Sequence, residues 1–200
     1  LVKNSWITGS PARDRISNFD IEAAAARARA TLGLTEGKPV VLWGGQVRHT
    51  GKALAEIVAA LNEIGRDVYL VPREHPRMKT EAPEELPKWE RALAEFRTGT
   101  LVPDSSGCDM QSLIACATVA VSMYSTVLTE AAALRRQAIA ALYPDVGLVS
   151  FREETDGRME EFPLVELGCA RKAENRDELR SALSAAYAHN LDLEEAQARI

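Results

Sequence analysis

The chain has 200 residues, 46% of them hydrophobic and 26% charged, with a formal net charge of -5. That length encloses one substantial core. The acidic balance, with no cluster of Lys or Arg interleaved with aromatics, excludes nucleic acid as the expected partner. No apolar run approaches bilayer length and no signal peptide opens the chain, so a cytoplasmic domain is expected.

In chain order, Asp20 is placed to cap a helix running through Leu32 and ended by Gly33. Lys38 to Trp43 reads as a buried strand, followed by the loop Gly44-Gly45-Gln46. Leu54, Ile57, Val58, Leu61 and Ile64 share one helical face that Gly65 terminates. Val68 to Val71 is the next strand, and the charged stretch from Glu84 to Phe96 the next helix. Thr100 to Val102 predicts a third strand and Met110 to Cys116 a short helix with Asp109 at its N-cap. Val119 to Ser122 and Ala138 to Leu142 flank a helix that carries Glu130. Leu148 to Phe151 and Leu164 to Leu167 read as peripheral strands, and Arg176 to Tyr187 as a closing helix with Leu179, Leu183 and Tyr187 on one stripe. The alternation predicts an α/β, Rossmann-like doubly wound parallel sheet covered on both faces. Cys108, Cys116 and Cys169 are odd in number and widely spaced, with no C-x-x-C and no nearby histidine pair. That pattern argues against a disulfide framework and against zinc.

Three places carry chemistry. Strand 119–122 runs through Ser122, Ser125 and Thr126 into a helix bearing Glu130. Hydroxyls and free N–H groups at a helix N-terminus attract phosphate, and a carboxylate one turn on can accept from sugar hydroxyls. The plain alternative is a helix cap. The second place is Arg73-Glu-His75-Pro76 at the end of a strand, where alternation puts Arg73 and His75 on one side and Pro76 favours extended geometry at His75. The third is the loop Gly44-Gly45-Gln-Val-Arg48-His49, after the first strand, where doubly wound folds approach phosphate with small residues. Gly44 and Gly45 are expected to wall the cleft, and Arg48 or His49 to reach a phosphate. That loop matches neither G-x-G-x-x-G nor a P-loop. Asp109 reads first as an N-cap and second as a pocket residue. Asp14 reads as a salt bridge or cap, and His189 as a residue at a helix C-terminus.

His75-Pro76 and Ser125-Thr126 with Glu130 resemble the HP and serine/threonine motifs of GT-B-fold glycosyltransferases that build bacterial surface polysaccharides. That circle includes sialyl- and polysialyltransferases, Kdo transferases and CDP-glycerol glycerophosphotransferases, and the non-hydrolysing UDP-N-acetylglucosamine 2-epimerase has a similar Ser-to-Glu element. Ile7-Thr-Gly-Ser-Pro-Ala-Arg-Asp-Arg-Ile16 resembles the stretch that follows the interdomain linker in those enzymes.

The resemblance implies the C-terminal, donor-binding half of a GT-B enzyme. Residues 1–36 would be linker and packing helix, and residues 37–200 the nucleotide-sugar-binding domain. It implies a nucleotide-activated sugar donor as ligand, no cofactor and no metal. It also implies an N-terminal acceptor-binding domain that this chain lacks, through which the protein would lie at the inner face of the membrane. The start at Leu1 reads as truncated, and the general base is expected in the missing half. Two alternatives stay open: half of a 2-epimerase-like enzyme, whose Asp-Ser-Gly-Gly run is here Met123-Tyr-Ser-Thr126, and a non-catalytic Rossmann-like domain.

Overall fold

The computed structural model describes Ile16 and residues 18–199, so Asp14 and most of the motif at residues 7–16 lie outside the described residues. Among the described residues, six strands form one sheet in the order β3-β2-β1-β4-β5-β6, every neighbouring pair parallel. The strands are β1 (Val40–Gly44), β2 (Val68–Arg73), β3 (Gly99–Leu101), β4 (Val119–Ser122), β5 (Gln137–Ala141) and β6 (Arg171–Ala173). This is the doubly wound topology, and its order reverses between β1 and β4. Ligands of such sheets bind at that switch point, outside the carboxyl ends of the strands.

Strands buried on both faces read as continuous apolar runs, and β1, β4 and β5 are buried at every residue. The helices that cover them are set by their ends. Helix α1 (Ile21–Leu32) is capped by Asp20, whose carboxylate accepts from the Ala23 amide at 3.0 Å, and it stops at Gly33 in the left-handed conformation. Helix α2 (Thr50–Ile64) ends the same way at Gly65. The remaining helices are α3 (Met78–Glu81), α4 (Leu86–Ala94), α5 (Met110–Cys116), α6 (Thr126–Ala133), α7 (Gly147–Glu154), α8 (Pro163–Glu166), α9 (Arg176–Tyr187) and α10 (Glu194–Gln197). Helix α2 packs between α4 and α9, while α1 packs on α5 and α5 on α6. Trp43, Leu42, Leu54, Ile57 and Leu70 are enclosed in the core, where each large apolar side chain contributes roughly 1.5–3 kcal/mol.

Two expected strands are helices. Leu148 to Phe151 belongs to α7, whose buried positions Gly147, Leu148, Ser150 and Phe151 leave Val149 outward, a helical rather than an alternating pattern. Leu164 to Leu167 falls on α8, started by Pro163 at its first position, with Leu167 58% exposed. The strand that closes this edge of the sheet beyond β5 is β6, only three residues long. The stretch expected as one helix from Glu84 instead begins with a 3-10 turn, Pro83–Glu85, before α4.

Candidate functional site

Parallel register builds the switch point row by row. Arg73, Gly44 and Ser122 stand side by side at the carboxyl ends of β2, β1 and β4. With strands about 4.8 Å apart, Arg73 and Ser122 are separated by roughly 10 Å. Ser122 is fully buried, and its hydroxyl donates to the Gly44 carbonyl at 2.6 Å. That bond ties β4 to β1.

Beyond β1 the loop turns inward. A β-carbon on Gly44 would meet the Val127 side chain at 3.1 Å, and one on Gly45 would meet the Trp89 ring at 2.8 Å. The need for glycine at both places therefore comes from the protein's own packing. The Gly45 amide donates to the Arg73 carbonyl at 2.9 Å, and the Gln46 amide to the Thr50 hydroxyl at 3.1 Å. The Gly51 amide, in the first turn of α2, donates at 2.9 Å to the buried carboxylate of Glu85. Arg48 is exposed. So is His49, which holds a left-handed backbone at the N-cap of α2, with its Nε2 4.0 Å from Glu153.

Beyond β4 the chain is open. Ser125 is the N-cap of α6, its hydroxyl accepting from the Val127 amide at 3.3 Å, and Thr126 is exposed. Glu130 is half-buried one turn further on, and among the described residues no cation pairs with it. Burial, and then the charge of Asp109, pushes its carboxyl above the ordinary range. Asp109 caps α5 as expected, accepting from the Ser112 amide at 2.9 Å and its hydroxyl at 2.8 Å. Burial works against the Asp109 charge, but the bonds from Ser112 outweigh it and hold that carboxyl low.

Arg73 and His75 line one cavity of about 380 Å³ with Trp89, Asp104 and Ser105. Ser125, Thr126 and Glu130 are not among its walls. Arg73 donates to the Ser105 carbonyl at 2.8 Å and so also anchors the loop after β3. His75 accepts from the Arg77 amide through Nδ1 at 3.2 Å. Burial, and then the Arg77 charge, pulls its imidazole below the usual histidine range. In the neutral ring an Nδ1 that accepts leaves the proton on Nε2.

Two residues escaped sequence reasoning. Tyr124, just before the α6 cap, bonds the buried Ser150 hydroxyl and tilts against Phe151, fastening α7 to the β4–α6 junction. Burial pushes its phenol up to about 12. The other is Glu85, whose partner Gly51 lies 34 positions away, a separation that no local pattern signals.

Comparison with known protein families and with curated proteins finds no match. Solved structures do match. A wall teichoic acid polymerase, TagF, superposes with a TM-score of 0.63 at 15% identity over 96% of this chain and 46% of its own. The UDP-GlcNAc 2-epimerase from Neisseria meningitidis bound to UDP-GlcNAc gives 0.59 at 13% identity, covering 96% of this chain and 53% of that one. The C-terminal CMP-Kdo binding domain of WaaA from Acinetobacter baumannii gives 0.50 at 14% identity, covering 90% and 98% respectively. The chain thus spans about half the length of the TagF and epimerase structures and nearly all of the isolated WaaA domain. At these identities the likeness concerns the fold, which is a Rossmann-like half of GT-B type, as the motifs led us to expect. Among the described residues no helix is long and apolar enough to cross a membrane, and no cluster of His, Cys, Asp and Glu is arranged to hold a metal ion.

Proposed function

We propose that this chain is the donor-binding half of a GT-B glycosyltransferase-like enzyme acting in surface-polysaccharide synthesis, and that it holds a nucleotide-activated sugar at the β4–α6 junction. One observation carries the reading. Glu130 is a half-buried carboxylate without a cation partner among the described residues, set one turn inside an open, hydroxyl-bearing helix N-terminus. Such a group is costly to keep unless something supplies donors to it, and ribose hydroxyls do so.

In this reading the phosphates rest on the α6 amides and the hydroxyls of Ser125 and Thr126, while Arg73 and neutral His75 flank them from β2. Transfer breaks the bond between the sugar's anomeric carbon and the phosphate oxygen and forms one to an acceptor hydroxyl oxygen. Negative charge grows on the departing phosphate, and these donors stabilise it as it forms. A complementary N-terminal half would supply the acceptor site and the base that takes the acceptor proton, so the chain alone binds nucleotide without turnover. That half would also carry any contact with the inner face of the membrane. Residues 37–200 would form the binding domain.

The ligands named with the matching structures, CDPG for TagF, UDP-GlcNAc for the epimerase and CMP-Kdo for the WaaA domain, belong to those proteins. Their shared chemistry, a nucleotide with a transferable group, supports the choice of ligand class. The screen follows from it: thermal shift and calorimetry with CDP, CMP, UDP and GDP on the wild type and on Ser125→Ala/Thr126→Ala. At least one nucleotide should raise the Tm of the wild type. The double variant should bind it tenfold or more weakly, since bonds to a charged group are worth roughly 1.5–3 kcal/mol each. If no nucleotide binds the wild type, the donor reading is wrong and a non-catalytic domain remains.

A further inference from the structure

In doubly wound sheets the N-terminus of the helix after β1 is an anion site, because its unbonded amides and the helix dipole both face the strand ends. In this chain that position is α2, a helix of 15 residues whose N-cap, His49, makes no side-chain capping bond. An anion is nevertheless in place. Glu85, 4% exposed, accepts from the Gly51 amide at 2.9 Å through one side-chain oxygen and from Lys88 Nζ at 2.8 Å through the other.

The delivery is built for closeness. The 3-10 turn Pro83–Glu85 points the carboxylate at α2, and α4 follows so tightly that a β-carbon on Gly51 would lie 2.5 Å from Lys88 Cβ and 3.1 Å from Trp89 N. Nearer the strand, Gly45 faces Trp89 and the Gln46 amide is taken by Thr50. A carboxylate bonded to a helix-terminal amide and an ammonium has the same partners that a phosphate oxygen would take there.

We propose that Glu85 is a built-in anion that fills the first βα phosphate position and thereby fixes which junction takes a ligand's phosphate. Resting on the donor reading above, this makes Glu85 a specificity-determining residue that never touches the donor: it closes α2 and leaves α6. A second phosphate at α2 is refused by charge and by occupancy alike, so dinucleotides bound across β1 are excluded.

The test is an amide NMR titration of the 200-residue chain with inorganic phosphate against chloride at equal ionic strength. In the wild type, the Gly51 amide should not move with phosphate. In Glu85→Ala, with the anion removed and Lys88 released, Gly51 should shift, phosphate should bind roughly tenfold more tightly than to the wild type, and phosphate should restore part of the lost Tm. A phosphate-dependent shift of Gly51 in the wild type overturns the proposal, and so does a folded Glu85→Ala whose Gly51 amide and Tm ignore phosphate. Glu85→Gln, which keeps the shape and removes the charge, is read the same way if Glu85→Ala does not fold: a phosphate-dependent Gly51 shift supports the proposal and an unmoved Gly51 overturns it. Failure of the donor reading appears elsewhere, as amides at 125–127 unmoved by any of the four nucleotides.

Discussion

At the β1–α2 junction Gly45 and Gly51 face Trp89 and Lys88 and the Gly51 amide donates to Glu85, whereas at β4–α6 Ser125 and Thr126 reach solvent and Glu130 stands without a cation partner among the described residues. Both are strand-to-helix turns on either side of the same switch point, and by topology either could hold a phosphate. What separates them is the next layer. Helix α4 leans on the start of α2 and the 3-10 turn before it supplies a carboxylate, while α5 reaches α6 with Asp109, whose carboxylate caps α5 itself. The two junctions therefore differ in what the neighbouring elements bring to them: Glu85 is bonded to the start of α2, and nothing comparable meets the start of α6 among the described residues.

The closed junction breaks first at Gly51. Placing Ala there forces a β-carbon into Lys88 Cβ and the adjacent α4 backbone, so α4 must move and Glu85 with it. We expect Gly51→Ala to lose about 1–3 kcal/mol in urea denaturation, the usual cost of overpacking. Stability equal to the wild type would mean that α4 is not held against α2 and that the junction is loose.

The same comparison explains what was legible in the sequence. The caps Asp20 and Asp109 and the stops at Gly33 and Gly65 act over three or four residues, and each is where the local pattern placed it. The central strands show as apolar runs because both faces are covered. Segments 148–151 and 164–167 misled because four apolar-rich residues fit either period, and only Pro163 hinted at a helix start. At the candidate site, Arg73 and His75 share a cavity. In the glycine loop the sequence cannot show that Trp89, 44 positions beyond Gly45 in the chain, packs against Gly45.

The open junction is sharpened by Glu130. Its carboxyl is raised by burial and then by Asp109, so the folded state prefers it protonated. The stabilising contribution is therefore present below the ordinary carboxylate range and lost as pH rises through the folded value. Glu130→Gln, neutral throughout, should melt slightly above the wild type at pH 7, and the difference should vanish in acid. The same variant should weaken nucleoside and nucleotide alike, because the ribose is common to both. A variant that melts lower at pH 7 and binds normally would make Glu130 a structural residue.

The smallest effect is at His75, and it separates a phosphate contact from proximity. Burial and Arg77 hold the imidazole below its ordinary value, so acidification must reach further than usual to charge it. For stability the sign is that of a depressed base: the contribution is present above the unfolded value of about 6.5 and lost as pH falls through the folded one. A bound phosphate reverses the electrostatics. With Nδ1 occupied by the Arg77 amide, Nε2 is the atom left to donate, and a dianion near it favours the protonated ring. Nucleoside diphosphate should then raise the His75 value in an NMR titration, nucleoside should leave it unchanged, and Kd for the diphosphate should fall as the ring charges. With the phosphate on α6 the shift should be small but measurable, since roughly 10 Å separates the β2 and β4 strand ends. A His75 signal indifferent to both ligands would confine the phosphate to α6 and leave the cavity beside Arg73 to another part of the donor.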